Sequence, residues 1–309
     1  MPDAAFDFEY SLRNLSKREW LAEVANIVDE HGYLTPLGKR HTAAFVEDGP
    51  TLLVSFETHQ GIQTLSPEAQ PLGWDMVKSH GWSHLAIISD GDTWFRDKAI
   101  YAFFDRLVDD GFFDEFETVL FYGAGPCGYA ATAYSVAAPG ARVLVVQPQA
   151  TLDPRVTAWD KRFFEMRRTN FTDRYGYAPD MLDAAEQTHV IYDPYQTEDA
   201  MHAALFTRPG VTKLRLAHMG GAIQTDLLTM ELLHPLMAAA AAGNLTPEYF
   251  ANLARARRDH MPYLRRLLAR LDQLERRSLV IALCRNVVSR RRAPRFAKRL
   301  QQLTSESTD

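Results

Sequence analysis

The stretch FYGAGPCGY, residues 121–129, decides how the chain is read, and three readings compete for it. Gly123, Gly125 and Gly128 fit the G-x-G-x-x-G spacing of a turn that holds a dinucleotide pyrophosphate against a helix N-terminus. Gly123-Ala124-Gly125-Pro126-Cys127 also has the outline of a G-x-S-x-G nucleophile elbow in which glycine stands where the serine would be. Cys127 offers a thiol of its own, in the first turn of the helix that follows, where backbone N–H groups and the helix dipole favour a thiolate.

Short apolar runs flank this stretch at regular intervals. Thr51–Phe56, Leu85–Ser89, Thr118–Tyr122, Arg142–Val146, His189–Tyr192 and Lys213–Ala217 are nearly continuous in apolar side chains. That is the pattern of parallel strands covered on both faces. Helical spacing lies between them, at Asp97–Asp109, Cys127–Ala137, Thr197–Phe206 and Ala222–Ala242, the last with a bend expected at Pro235. Alternating strand and helix predicts an α/β fold with a mostly parallel, doubly wound sheet. Residues 1–50 read as a helix and β lead-in, 51–245 as the core and 246–303 as a helical appendix. Thr246 and Pro247 form the appendix's N-cap and first helical position, and 304–309 is expected to be a disordered tail.

The chain's 309 residues are 46% hydrophobic and 24% charged, as in an ordinary globular protein. There is no apolar run of membrane-spanning length and no secretory h-region in MPDAAFDFEYSLRNLS, and Cys127 and Cys284 form neither a metal cluster nor a disulfide framework. These features imply a cytoplasmic protein without a metal or other cofactor. The net charge of −5 is unevenly divided: residues 255–299 carry 15 Arg and Lys against Asp259, Asp272 and Glu275, a local +12, which leaves −17 for the rest. The basic helices suit either solvated arginines facing the acidic body or contact with an acidic protein or polyanion.

Three strand ends carry chemistry: the glycine turn after Tyr122, then Asp193 in YDPY, then His218 in AHMGG. Turn, acid and histidine follow one another in the chain order of a Ser…Asp…His hydrolase. On these residues the chain resembles the α/β-hydrolase superfamily, and in particular bacterial hydrolase-like proteins associated with polysaccharide biosynthesis, whose elbow reads Y-G-S-S-M-G-G-Y. The stretch Gln149-Ala150-Thr151-Leu152-Asp153-Pro154 is similar to their Q-[FY]-S-x-D-P segment. The resemblance covers about residues 50–235. It implies the acid role for Asp193, the base role for His218, and an oxyanion-hole amide near Glu57–Gly61.

Gly125 departs from that pattern at the attacking atom. It offers neither oxygen nor sulfur, so serine-type acyl transfer has no nucleophile. The expected function is therefore a non-catalytic binding or scaffold protein on a hydrolase fold. One alternative is a thiol hydrolase using Cys127, His218 and Asp193. The other is dinucleotide binding through Gly123, Gly125 and Gly128, although the next strand ends in Gln147-Pro148-Gln149 rather than in the acid that a ribose site uses. A reductase of the phosphoadenosine phosphosulfate type is not supported, because Cys284 lies in an apolar helix and no E-C-G-x-H motif is present. The insert 150–187 mixes Arg155, Lys161, Arg162, Arg167, Arg168 and Arg174 with Trp159, Phe163, Phe164, Phe171 and Tyr175. It reads either as an amphipathic cap or as a lid for an anionic or sugar-like ligand.

Overall fold

The computed structural model describes residues 10–305. Its strands are β1 (Gly32–Leu37), β2 (His41–Val46), β3 (Thr51–Thr58), β4 (Ser83–Ser89), β5 (Thr118–Ala124), β6 (Arg142–Val146), β7 (Gln187–Tyr192) and β8 (Val211–Arg215). They form a single eight-stranded sheet in the order β1-β2-β4-β3-β5-β6-β7-β8. The β1–β2 and β2–β4 pairs are antiparallel and every other pair is parallel. The fold class is α/β with a C-terminal helical region. The strand order is that of an α/β-hydrolase sheet, not the 3-2-1-4-5-6 of a dinucleotide-binding sheet. This topology overturns the dinucleotide reading of Gly123, Gly125 and Gly128.

The helices are α1 (Lys17–Val28), α2 (His59–Leu65), α3 (Trp74–His80), α4 (Lys98–Asp109), α5 (Pro126–Tyr134), α6 (Pro154–Thr157), α7 (Thr197–Leu205), α8 (Ile223–Thr229), α9 (Leu233–Ala241), α10 (Pro247–Leu253), α11 (Met261–Gln273), α12 (Arg277–Arg290) and α13 (Pro294–Ser305). Alternate residues of each strand point to opposite faces, so two layers of helix pack on one sheet. Val54, Phe56, Phe121, Val143, Val145 and Val190 face α4, α5 and the insert. Leu53, Leu120, Tyr122, Leu144, Val146 and Ile191 face α8, α9 and α10. On α4, Ile100, Phe103, Phe104 and Leu107 share one buried stripe, and Asp97 caps its first turn through the Ala99 N–H at 2.8 Å. Each such side chain contributes about 1.5–3 kcal/mol by burial.

The structure corrects the sequence reading in detail. The lead-in supplies a β hairpin that extends the same sheet, because Ala43 and Phe45 lie opposite Ile87 and Leu85. The segment 222–242 breaks between Met230 and Leu232, where Glu231 takes φ +57°, rather than at Pro235, which sits in the first turn of α9. Thr304 and Ser305 end α13, and residues 306–309 of the expected tail lie outside the described residues. The side chains of α11, α12 and α13 close on a core of their own, Leu264, Leu268, Val280, Cys284, Val287 and Phe296. None of the described helices is long and apolar enough to cross a membrane.

Candidate functional site

The elbow is a strand–turn–helix at the C-terminal end of β5. Gly125 joins β5 to α5 with φ 55° and ψ −126°. Its N–H donates to the Val146 carbonyl at 2.8 Å, and its own carbonyl accepts from Tyr129 N–H at 3.0 Å. This is the strained, exposed geometry in which an elbow presents a nucleophile, and only glycine adopts it without cost. A Cβ on Gly125 would meet nothing within 4 Å. A Cβ on Gly123 would come within 2.2 Å of the Cys127 carbonyl, and one on Gly128 within 3.2 Å of Pro148. The outer two glycines therefore let the helix lie close to the sheet, while the central one holds the turn with open space above it. Pro126, at the first position of α5, removes an N–H that a phosphate cradle would use.

Cys127 is buried on the core side of α5. Burial, and then the nearby carboxylates of Glu57 and Asp92, push its thiol far above the ordinary range. This outweighs the helix N-terminus, so the environment opposes the thiolate that the thiol-hydrolase reading requires. Among the described residues, no hydrogen bond joins Cys127 to His218 or Asp193.

Asp193 and His218 do come together, in a different relation from that of a catalytic pair. Asp193 is fully buried where β7 ends. Its Oδ1 accepts the Tyr195 N–H at 2.9 Å and the His218 backbone N–H at 3.1 Å, and its Oδ2 accepts the Gly220 N–H at 2.7 Å. The carboxylate thus pins the turn after β8 to the end of β7, and it holds His218 in a left-handed conformation, φ +65°. The imidazole stacks on the exposed Tyr195 ring at 4.1 Å. No ion pair within 4.0 Å links the ring to Asp193 among the described residues. Burial lowers the His218 pKa; Asp193 opposes the shift, and Arg270 and Arg257 reinforce it.

Ser55, Glu57 and His84 form a polar line under the elbow that the sequence reading did not single out. Ser55 Oγ donates to Glu57 Oε1 at 2.7 Å and lies 2.8 Å from His84 Nε2. Glu57 Oε2 accepts the Leu72 N–H at 3.1 Å. Ser55 lies opposite Tyr122, so Glu57 is level with Ala124, one residue before the elbow. Desolvation raises the Glu57 pKa to about 7, while burial pushes His84 down to about 3, so that imidazole is neutral. The Tyr122 hydroxyl is buried there, next to the Gln224 side chain, and burial keeps it protonated. The signal in the sequence was Ser55 and Glu57 at i and i+2, two polar residues on one face of an otherwise apolar strand. In the expected oxyanion segment the Gly61 N–H is already occupied, donating to Thr58 Oγ1 at 2.9 Å. His59 packs edge-on to Trp20 and His80 is exposed beside Trp82.

The insert is held by charge pairs within itself and to α4 and α7. Arg162 bridges Asp160 (2.8 Å) and Asp199 (2.6 Å), and His202 adds a hydrogen bond to Asp160 at 3.0 Å. Burial opposes ionisation of Asp160, but the His202 and Arg162 hydrogen bonds hold its carboxyl well below the usual range. Arg155 pairs with Asp153 at 2.6 Å and Arg174 with Asp105. Asp153 also caps α6, so the Gln149–Pro154 motif acts as a local helix start. Gln147 donates to Asp199 at 2.5 Å and accepts the Ile223 N–H at 3.0 Å, which engages the amide that a ribose would have needed. Among the described residues no group of three His, Cys, Asp or Glu side chains is placed to hold a metal ion.

The sheet order is that of an α/β-hydrolase fold, with Gly125 at the tight turn between β5 and α5. No protein-family profile matches the chain, and no curated protein sequence matches it. Solved structures that are similar in fold include the glycosylation-associated protein complex of Streptococcus agalactiae (14% identity, TM-score 0.44, covering 67% of this chain and 46% of that one). A hyperthermophilic esterase from Pyrobaculum calidifontis is similar at 14% identity and TM-score 0.42, over 74% of this chain and 89% of that one. Carboxyl esterase 2 of Tuber melanosporum is similar at 13% identity and TM-score 0.41, over 73% and 86%. At these identities the likeness concerns the fold alone.

Proposed function

We propose that this chain is a non-catalytic binding or scaffold protein on an α/β-hydrolase fold. The observation that carries the reading is Gly125, which keeps the elbow conformation, φ 55° and ψ −126°, without an attacking atom. Two further observations support it. The Asp193 carboxylate is engaged by three backbone N–H groups, and the Cys127 thiol is held protonated. On this reading the basic helices are the partner-facing part. Arg255, Arg265, Arg276, Arg285, Arg292 and Arg295 are exposed and, among the described residues, meet no carboxylate, a pattern suited to an acidic protein or polyanion.

The test is hydrolysis of a panel of esters and thioesters by the purified chain, its His218→Ala variant and its Gly125→Ser variant. No turnover above background is expected from any of the three. Gly125→Ser has room for its side chain but lacks an imidazole engaged with Asp193, so the hydroxyl has no activated base. Wild-type turnover that disappears in His218→Ala would overturn the proposal.

A further inference from the structure

The β1–β2 hairpin and α1 leave a cleft between them where β4 ends. Its volume is about 360 Å³, within the range of small-molecule sites. Leu21 of α1 and Leu34 and Pro36 of β1 line it, together with the buried Ile88 of β4. Leu21 and Leu34 pack on the core beneath α1 yet stay only half-buried, so the cleft keeps apolar walls.

The cleft also holds three cations, Lys17, Lys39 and Arg40, against one carboxylate, Asp90. Two of the cations meet at Asp90. The Lys17 ammonium lies 2.6 Å from Asp90 Oδ2, and Arg40 donates to the Asp90 carbonyl through Nε, at 3.1 Å, and through Nη2. The Asp90 N–H donates back to the Arg40 carbonyl at 2.7 Å. A Cβ on Gly91 would come within 2.9 Å of Arg40 Nη2, so glycine there leaves the room that the guanidinium takes. The start of α2 is tied to the same turn, because the Gly91 N–H donates to Gln60 Oε1 at 3.2 Å. These bonds use one edge of the Arg40 guanidinium. Among the described residues, Arg40 Nη1 and the Lys39 ammonium meet no acceptor.

A second observation points to a ligand. His59 lines the same cleft, and its Nε2 is buried without a hydrogen-bond partner among the described residues; such an atom ordinarily marks a missing partner. The ring is set edge-on to Trp20, with centroids 5.0 Å apart. Burial, and then Lys17, lowers its pKa, so the imidazole is neutral at pH 7.

We propose that this cleft binds a small carboxylate with an apolar body, of the arylacetate kind. Arg40 Nη1 and Lys39 give charge-assisted hydrogen bonds to the carboxylate, the body lies against Leu21, Leu34 and Pro36, and His59 Nε2 faces the bound molecule. A monoanion fits because Asp90 already engages Lys17 and the walls are apolar. The cleft contains neither elbow residues nor appendix residues, so this inference goes beyond the reading of Gly125 and stands apart from it.

Calorimetric titration of the full chain with phenylacetate, 2-phenylacetamide and acetate tests it. Saturable one-to-one binding of phenylacetate is expected, with both controls weaker by at least about tenfold, since the amide lacks the charge and acetate lacks the ring. Equal affinity for either control, or no saturation with phenylacetate, overturns the proposal. Lys39→Gln together with Arg40→Gln should weaken binding by at least about tenfold. Arg285→Gln with Arg295→Gln removes the same charge from α12 and α13 and should change it less than about twofold. An equal loss in the second pair reduces the effect to general electrostatics and sinks the site. Because Arg40 also braces Asp90, Ala22→Trp serves as a second variant: Ala22 is an exposed position of α1 that lines the cleft, and an indole there fills it. Binding should be lost with the thermal midpoint unchanged, and undiminished binding places the ligand elsewhere. Saturation with phenylacetate should also shift the His59 ring ¹⁵N resonances; unmoved resonances count against the proposal.

Discussion

At the scale of single residues, the elbow shows how one position separates shape from chemistry. Glycine at 125 keeps the turn and, on the proposed reading, leaves out the atom that would react, while burial pushes the thiol of the nearby Cys127 up. The acid–base group beside the elbow is instead Glu57, and its effect on stability can be measured. Its folded-state pKa of about 7 lies above the ordinary value of 4.5, so the folded chain holds this proton more tightly than the unfolded chain. Stability from Glu57 is therefore full below about pH 4.5 and is lost as pH rises through about 7. The loss is on the order of 2 kcal/mol after discounting for the residue's partial exposure. His84 has the opposite sign: its pKa is depressed to about 3, so its stabilising effect is present above the unfolded value of 6.5 and is lost as pH falls toward 3. Urea denaturation between pH 4.5 and 8 should show Glu57→Gln gaining stability relative to wild type as pH rises. Parallel curves for the two proteins would mean that Glu57 does not titrate in this range.

At the scale of elements, the strand–turn–helix of β5 and α5 turns three similar glycines into three different requirements. Gly123 permits contact between the helix and the strand, Gly125 permits a positive φ, and Gly128 faces Pro148 at close range. Alanine substitutions should therefore be graded. Gly123→Ala drives a Cβ into the backbone of Cys127 and must displace α5, at a cost above about 3 kcal/mol. Gly125→Ala meets no atom and bears only the conformational strain, about 1–3 kcal/mol. Gly221→Ala, with open space around its Cβ, serves as a near-neutral control. Chemical denaturation of the three variants checks the order; a Gly123→Ala variant as stable as Gly221→Ala would show that the junction is not tight. These roles were only partly legible in the sequence. The apolar runs of β3, β5 and β6 and the turn after Tyr122 stand out because continuous apolar runs and glycine spacing are local signals. The β1–β2 hairpin reads in the sequence only as a β lead-in; that it joins the same sheet does not stand out, because its pairing with β4 is a long-range contact. Glu231, a residue of no turn preference, ends α8 through a left-handed φ, so Pro235 attracted a bend that falls four residues earlier. The positions of Asp193 and His218 were legible from strand ends. Their relation was not, because a carboxylate that bonds backbone N–H groups leaves no pattern in side-chain identity.

At the scale of the whole molecule, the acidic body and the basic appendix are joined through few polar contacts, and Asp226 is central among them. It is buried on α8 and accepts from both His260, at 2.7 Å, and Arg266. The helices beyond it have their own apolar core, separate from the two layers on the sheet. A unit with its own core, fixed by a buried charge cluster, should uncouple when the cluster loses its only carboxylate. Removing one partner of a buried ion pair costs about 3–5 kcal/mol, because the remaining charge stays desolvated. Asp226→Ala removes the acceptor shared by His260 and Arg266, so the loss falls on the contact between the units rather than on either core. Calorimetry of wild type should give one cooperative transition. Asp226→Ala should give an earlier transition belonging to 260–305, with hydrogen exchange accelerated in α11, α12 and α13 and unchanged in β5 and β6. A single transition lowered as a whole would mean that the appendix and the sheet fold as one unit.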